Sequence, residues 1–206
     1  MADARSISLL DESPVTSQIP EDIAGEKIAM KTRKARLCDA EAIYQLVDSF
    51  SYDGTLLHRS YMEICENIET FTIVETDLNE FAGCAALHVY GSHLAEVRSI
   101  VVRAEVKGHG AGGLLVQSLL HQAEESGIQC VCLFTRIPDF FEHFRFRTVE
   151  HQALRDKVLK DCLHCARRHS CDETAMAVGE LPALHDRALG DFMPTQRSGD
   201  LVQLYV

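Results

Sequence analysis

The chain has 206 residues, 46% hydrophobic and 25% charged, with a formal net charge of −11. That length and composition suit one soluble domain with a sizeable core, and the acidic balance argues against a general nucleic-acid binder. No stretch approaches the ~18 consecutive apolar residues of a membrane span, and MADARSISLLDESP lacks an apolar signal core, so a cytoplasmic protein without membrane partners is expected.

Residues 1–28 combine Pro14, Pro20 and several acids without a period, and read as a flexible leader. KTRKARLC (31–38) reads as a first strand, and Asp39 as the N-cap of a helix with Ile43, Leu46, Val47 and Phe50 on one stripe. SYDG breaks that helix, and HRSYMEICENIETF is a second helical stretch. FTIVE (71–75) and FAGCAALHVY (81–90) predict a hairpin across the turn residues 77–80. AEVRSIVV (95–102) alternates and then turns wholly apolar, as a central strand does. A helix follows from about 112 to 126, ended by Gly127, and then a strand over QCVCLFTR (129–136). Pro138 starts a short helix, residues 147–149 look extended, and DETAMAV (172–178) is a last strand. Three strands in hairpin order followed by a strand–helix–strand crossover predict an α/β fold, a mixed α+β sheet in a single domain over 29–180, with a tail over 181–206.

The segment that carries chemistry is Lys107-Gly108-His109-Gly110-Ala111-Gly112-Gly113. It lies between a predicted strand and an amphipathic helix. Glycines let a ligand approach the main chain, and first-turn amides have no partner within their own helix, so the junction can cradle a pyrophosphate with Lys107 and His109 adding charge. The alternative is a plain glycine-rich turn. A P-loop is excluded by the absence of its lysine and hydroxyl spacing, and a dinucleotide fingerprint fits poorly after four strands.

Here the sequence resembles the GNAT superfamily of N-acetyltransferases, whose [Q/R]-x-x-G-x-[G/A] junction is matched by Lys107-x-x-Gly110-x-Gly112, with lysine as a departure. The likeness covers roughly residues 30–150. It implies that the backbone of Ile100, Val101 and Val102 holds the pantetheine arm and acetyl carbonyl of acetyl-CoA, and that amides from Gly108 to Gly113 hold its pyrophosphate. LLHRSYMEICENIETF, AEVRSIVV and KDCLHCARRHSCDETAM are further similar to the short, stand-alone N-acetylglutamate synthases of bacterial arginine synthesis. That resemblance implies acetyl transfer to the amine of L-glutamate, a small amino-acid acceptor.

Where this family often places a carboxylate stands Glu96, the candidate general base through a water; the alternative is an ordinary strand glutamate. Arg98 shares its strand face by the period of two, and arginine suits bidentate carboxylate binding. Arg98 and, more weakly, Arg59 are the substrate-binding candidates, against a reading as surface salt bridges. The stretch Phe140–Phe146 has no tyrosine to protonate the leaving thiolate, and Arg145 stands where the family usually has glycine. Phe141 and Phe144 are expected in the core or against CoA.

Of eight cysteines, Cys38, Cys65, Cys84, Cys130 and Cys132 are expected as small core hydrophobes. Cys162, Cys165 and Cys171, with His164 and His169, could hold a structural zinc or serve as reduced or redox thiols. His58, His88, His93, His121, His151 and His185 are expected in surface or packing roles. Competing functions are a GNAT acting on another amine (a polyamine, an antibiotic or a protein N-terminus) and a non-catalytic acyl-CoA or amino-acid sensor. GNAT domains often pair, so a homodimer is an open expectation.

Overall fold

The computed structural model describes residues 28–51, 56–165 and 167–182. Most of the expected leader and tail lies outside them. The described chain forms one seven-stranded sheet in the order β1-β2-β3-β4-β5-β7-β6. Its strands are β1 (Met30–Lys34), β2 (Phe71–Thr76), β3 (Phe81–Gly91), β4 (Leu94–Val102), β5 (Cys130–Thr135), β6 (Arg147–Thr148) and β7 (Thr174–Gly179). Every neighbouring pair is antiparallel except β4 and β5, which are joined by the crossover helix α3 (Ala111–Glu125). The mixed α/β sheet expected from the sequence is therefore present.

Strand alternation sorts the core into faces. Val74, Leu87, Val97 and Leu133 point to α3 and pack with Leu115, Val116 and Leu119. Ile73, Cys84, Ala86 and Val101 point the other way, onto Ile43 and Val47 of α1 (Ala40–Ser51) and Ile64 of α2 (Tyr61–Glu66). A third cluster gathers Leu94, Cys130, Cys132, Ala175 and Ala177 around Leu154. Leu154 immediately precedes α5 (Arg155–Lys160), a helix the sequence pattern does not announce. The short helix α4 (Pro138–Glu142) follows β5.

Three expectations are corrected. β1 ends at Lys34 rather than Cys38. The Arg36 amide donates to Asp39 Oδ2 at 2.7 Å, which draws the chain into a 3-10 turn over Leu37–Asp39. Asp39 thus closes that turn instead of capping α1. Cys38 lies on the same turn and is exposed, and Cys65 is only half-buried, whereas Cys84, Cys130 and Cys132 are buried as expected.

Candidate active site

Two features of β4 open the sheet at its centre. The strand pairs with β5 only at Ala95↔Val131 and Glu96↔Cys132, and beyond Glu96 the two separate. Against β3 the pairing passes from Ala86↔Arg98 to Cys84↔Val101, so β4 carries a bulge where two steps of β3 match three of its own. Ser99 sits in that bulge at φ 52°, in the left-handed region that costs a non-glycine residue about 1–2 kcal/mol. Past it, Ile100, Val101 and Val102 run along the gap toward the glycine segment.

Within that segment the glycines divide into two roles. Gly108 and Gly110 have φ of 85° and 91° with open space where a side chain would stand, so they shape the loop. Gly112 and Gly113 lie in the first turn of α3, where a Cβ would meet the rings of Phe140 and Phe144 at 3.3 and 3.4 Å. Their role includes letting α4 pack close. The first helical bond runs from the Leu114 amide to the Gly110 carbonyl at 3.0 Å, so the amides of Gly110–Gly113 precede the helix's own ladder and can donate to an anion. Lys107 and His109 are exposed beside them. Phe141 is buried, and Phe140 and Phe144 pack against the same cluster. Arg145 sits at φ 65°, which explains physically why a glycine suits that position.

On the opposite face of the sheet, Glu96 is 2% exposed. Lys157 of α5 donates to one carboxylate oxygen at 2.7 Å, and the Tyr90 hydroxyl donates to the other at 2.8 Å. Lys157 also holds Asp161 at 2.8 Å and stands 5.5 Å from the centre of the Phe134 ring. Burial opposes the charge of Lys157, but Glu96 and Asp161 outweigh it and raise its pKa. Asp161 is likewise disfavoured by burial, yet its bond to Lys157 and the charges of Lys157, Arg98 and Arg59 hold it below the usual carboxylate range. Burial, then Glu96, pushes the Tyr90 phenol upward, which keeps it a donor.

Arg98 lies beside this cluster, its Nη2 at 3.2 Å from Glu96. Nonetheless Nε and Nη2 of Arg98 are buried without a hydrogen-bond partner among the described residues. They border a cavity of about 300 Å³ lined by Arg59, Glu63, Asn67, His88, Arg98, Ser99, Lys160 and Asp161, among others. A smaller cavity of about 70 Å³ shares Arg59, Arg98 and Ser99 and adds Glu96, Phe134 and Lys157. The acids in the larger cavity are already engaged: Glu63 with Arg59, and Asp161 with Lys157. Lys160 donates to His88 Nε2 at 2.6 Å. Burial first, then the charges of Arg98 and Lys160, lowers His88 to about 4, so its ring is neutral at pH 7. His88 thus lines a cavity and meets Lys160, beyond the surface or packing role expected.

The structure therefore brings together Glu96, Arg98 and Arg59 as the sequence suggested. It adds Tyr90, His88, Lys157, Lys160 and Asp161, which no motif marks. Cys162, Cys165 and Cys171 are free thiols. Among the described residues no three His, Cys, Asp or Glu side chains form a group able to hold a metal. Competing bonds hold this segment: Arg168 Nε bonds His169 Nε2 at 2.9 Å, the Arg167 amide donates to Cys165 Sγ at 3.4 Å, and Cys171 is exposed. No helix among the described residues is long and apolar enough to cross a membrane.

Residues 40–143 match the acetyltransferase (GNAT) family. An uncharacterized N-acetyltransferase of Chlorobaculum tepidum is 34% identical over 144 residues, spanning 70% of this chain and 92% of that protein. An amino-acid acetyltransferase of Mycobacterium tuberculosis is 36% identical over 120 residues, spanning 57% of this chain and 68% of that protein. A Mycobacterium tuberculosis crystal structure in complex with CoA and a second ligand superimposes with a TM-score of 0.62 at 28% identity, over 73% of this chain and 99% of that one.

Proposed function

Because the chain belongs to the acetyltransferase (GNAT) family and is an acetyl-CoA-dependent N-acetyltransferase, we propose that its acceptor is a small amino acid, L-glutamate. The product is then N-acetyl-L-glutamate, the first step of arginine biosynthesis. The observation that carries the acceptor is Arg98, whose Nε and Nη2 are buried without a hydrogen-bond partner among the described residues, Nη2 keeping only an ion contact with Glu96, at the edge of a cavity. A buried guanidinium left in that state is costly, and a carboxylate is the group that satisfies it in bidentate fashion. Lys160 offers a second cation in the same cavity for the other carboxylate, and Arg59 a third at its wall. The amino-acid acetyltransferase among the relatives supports the same class of acceptor.

In this reading the pyrophosphate of acetyl-CoA lies on the amides of Gly108–Gly113, with Lys107 and His109 alongside. The thioester runs along Ile100–Val102, where β4 has left β5 and its backbone is open to a ligand. Holding the amine against the thioester supplies much of the rate, and the N–H groups of Ile100–Val102 stabilise the tetrahedral oxyanion. Glu96 takes the amine proton through a water in the smaller cavity it lines. No side chain is assigned to the leaving thiolate. His143 is exposed and its Nδ1 lies 2.8 Å from the Asp139 carbonyl oxygen.

A thiol-release assay with acetyl-CoA and a panel of amino acids and polyamines tests this. Glutamate should be the preferred acceptor, and Arg98→Ala should raise KM for glutamate far more than for acetyl-CoA. Turnover with polyamines alone would overturn the reading.

A further inference from the structure

The unpartnered state of Arg98 needs a cause. Glu96 is buried, so its charge must be matched. Arg98 stands two residues along on the same strand face and is the nearest cation in sequence. Left alone with Glu96, a guanidinium would close a bidentate pair and offer nothing to the cavity. That pair is not what forms. Lys157 occupies one oxygen and Tyr90 the other, and Arg98 keeps only an ion contact without hydrogen-bond geometry.

Lys157 itself is 6% exposed. Stability alone would not call for it, because a buried ion pair is often matched or bettered by an apolar side chain of similar volume. Its two carboxylates come from different elements, Glu96 from β4 and Asp161 from just beyond α5, and its Nζ stands 5.5 Å from the centre of the Phe134 ring of β5. It is therefore fixed by three parts of the fold at the carboxylate that stands 3.2 Å from Arg98.

We infer that Lys157 is a positioning residue: by neutralising Glu96 it keeps the guanidinium of Arg98 free to bind the acceptor's carboxylate. This rests on the acceptor reading above. In this role Lys157 acts through Glu96 on Arg98.

Isothermal titration of L-glutamate into the enzyme–CoA complex tests it, because binding is read apart from any proton-transfer role of Glu96. Lys157→Met should weaken glutamate about tenfold while CoA binding changes less than about twofold, and Lys157→Arg should recover most of the loss. The decisive variant is Lys157→Met combined with Glu96→Gln. With no carboxylate charge left to capture Arg98, the double variant should bind glutamate within about threefold of Glu96→Gln alone. A merely structural lysine predicts additive losses instead, and that result overturns the inference. Should Lys157→Met fail to fold, the comparison of the double variant with Glu96→Gln still decides. If Arg98→Ala weakens glutamate but Lys157→Met does not, only the role of Lys157 falls. If the wild type does not bind glutamate, or Arg98→Ala leaves its binding unchanged, the acceptor reading and this inference fall together.

Discussion

Two carboxylates are buried in this sheet, Glu75 on β2 and Glu96 on β4, and cations hold both, yet the two clusters are built to different ends. At Glu75 every nitrogen of the neighbouring arginine is used. Arg33 donates through Nε to Glu75 at 2.8 Å, through Nη1 and Nη2 to Asp39 at 2.8 and 2.9 Å, and through Nη1 to the Lys34 carbonyl at 3.1 Å. Lys31 adds a contact with Glu75 at 3.3 Å. At Glu96 the arginine keeps an ion contact, but its Nε and Nη2 lack a hydrogen-bond partner among the described residues, and cavities lie against it. A closed cluster ties β1 to β2; an open one, on the proposed function, receives the acceptor. Burial and charge are alike in the two places, so what separates structure from function is where the donors end.

Substitutions sharpen that contrast. The largest effect is expected at the carboxylates. Glu96→Gln should lower kcat about 100-fold at near-unchanged glutamate affinity, as loss of a general base does, whereas Glu75→Gln should leave kcat within about twofold. Next come the arginines. Arg98→Ala should reduce kcat/KM for glutamate about 30-fold, the value of roughly 2 kcal/mol of charged hydrogen bonding. Arg33→Ala should leave kinetics intact and cost about 2 kcal/mol of stability, read as a lower denaturant midpoint with an unchanged slope, because Glu75 is left without its main partner.

The closed cluster also fixes a pH dependence. Asp39 is held low by its bond to Arg33, and at Glu75 the bonds to Arg33 and Lys31 outweigh an opposing effect of burial. Both native values are therefore depressed, so their contribution is complete above the ordinary carboxylate values of 3.8 and 4.5 and is lost as pH falls through the native ones. Arg33→Ala should flatten that acid branch in urea titrations. The smallest effect concerns His88. With its native value near 4, its ring stays neutral through the ordinary 6.5, and the stability this provides is full above 6.5 and lost as pH falls toward 4. Glutamate affinity should show no inflection at pH 6.5, and the imidazole resonances of His88 should not titrate there; an inflection at 6.5 would remove His88 from the buried cavity wall.

Much of the frame was legible because it is encoded locally. Alternation in FAGCAALHVY and AEVRSIVV marked β3 and β4 to within a residue or two, and the glycine run marked the start of α3. The period of two placed Glu96 and Arg98 on one face. What local pattern does not carry is the identity of long-range partners. Lys157 lies on a six-residue helix with only two apolar positions, too short to show a period. Tyr90 sits at the end of β3, where the chain reads only as a strand running into a turn. The bulge at Ser99 breaks no rule of composition, and the cysteine spacing at 162–171 suggested a metal site, whereas no metal-ligating group is found among the described residues.

By itself the sequence determined the strand order up to the crossover, the glycine-rich strand-to-helix junction at Lys107–Gly113 and the placing of an acid and an arginine on one face of β4. Periodicity and glycine content suffice for these, since each depends on neighbours a few residues apart. Tertiary structure alone decided that Lys157, more than sixty residues beyond Glu96, meets its carboxylate, and that Nε and Nη2 of Arg98 have no hydrogen-bond partner among the described residues. That outcome depends on which charges the packing of α5 against β4 and β5 brings within hydrogen-bond reach, and no local signal specifies it.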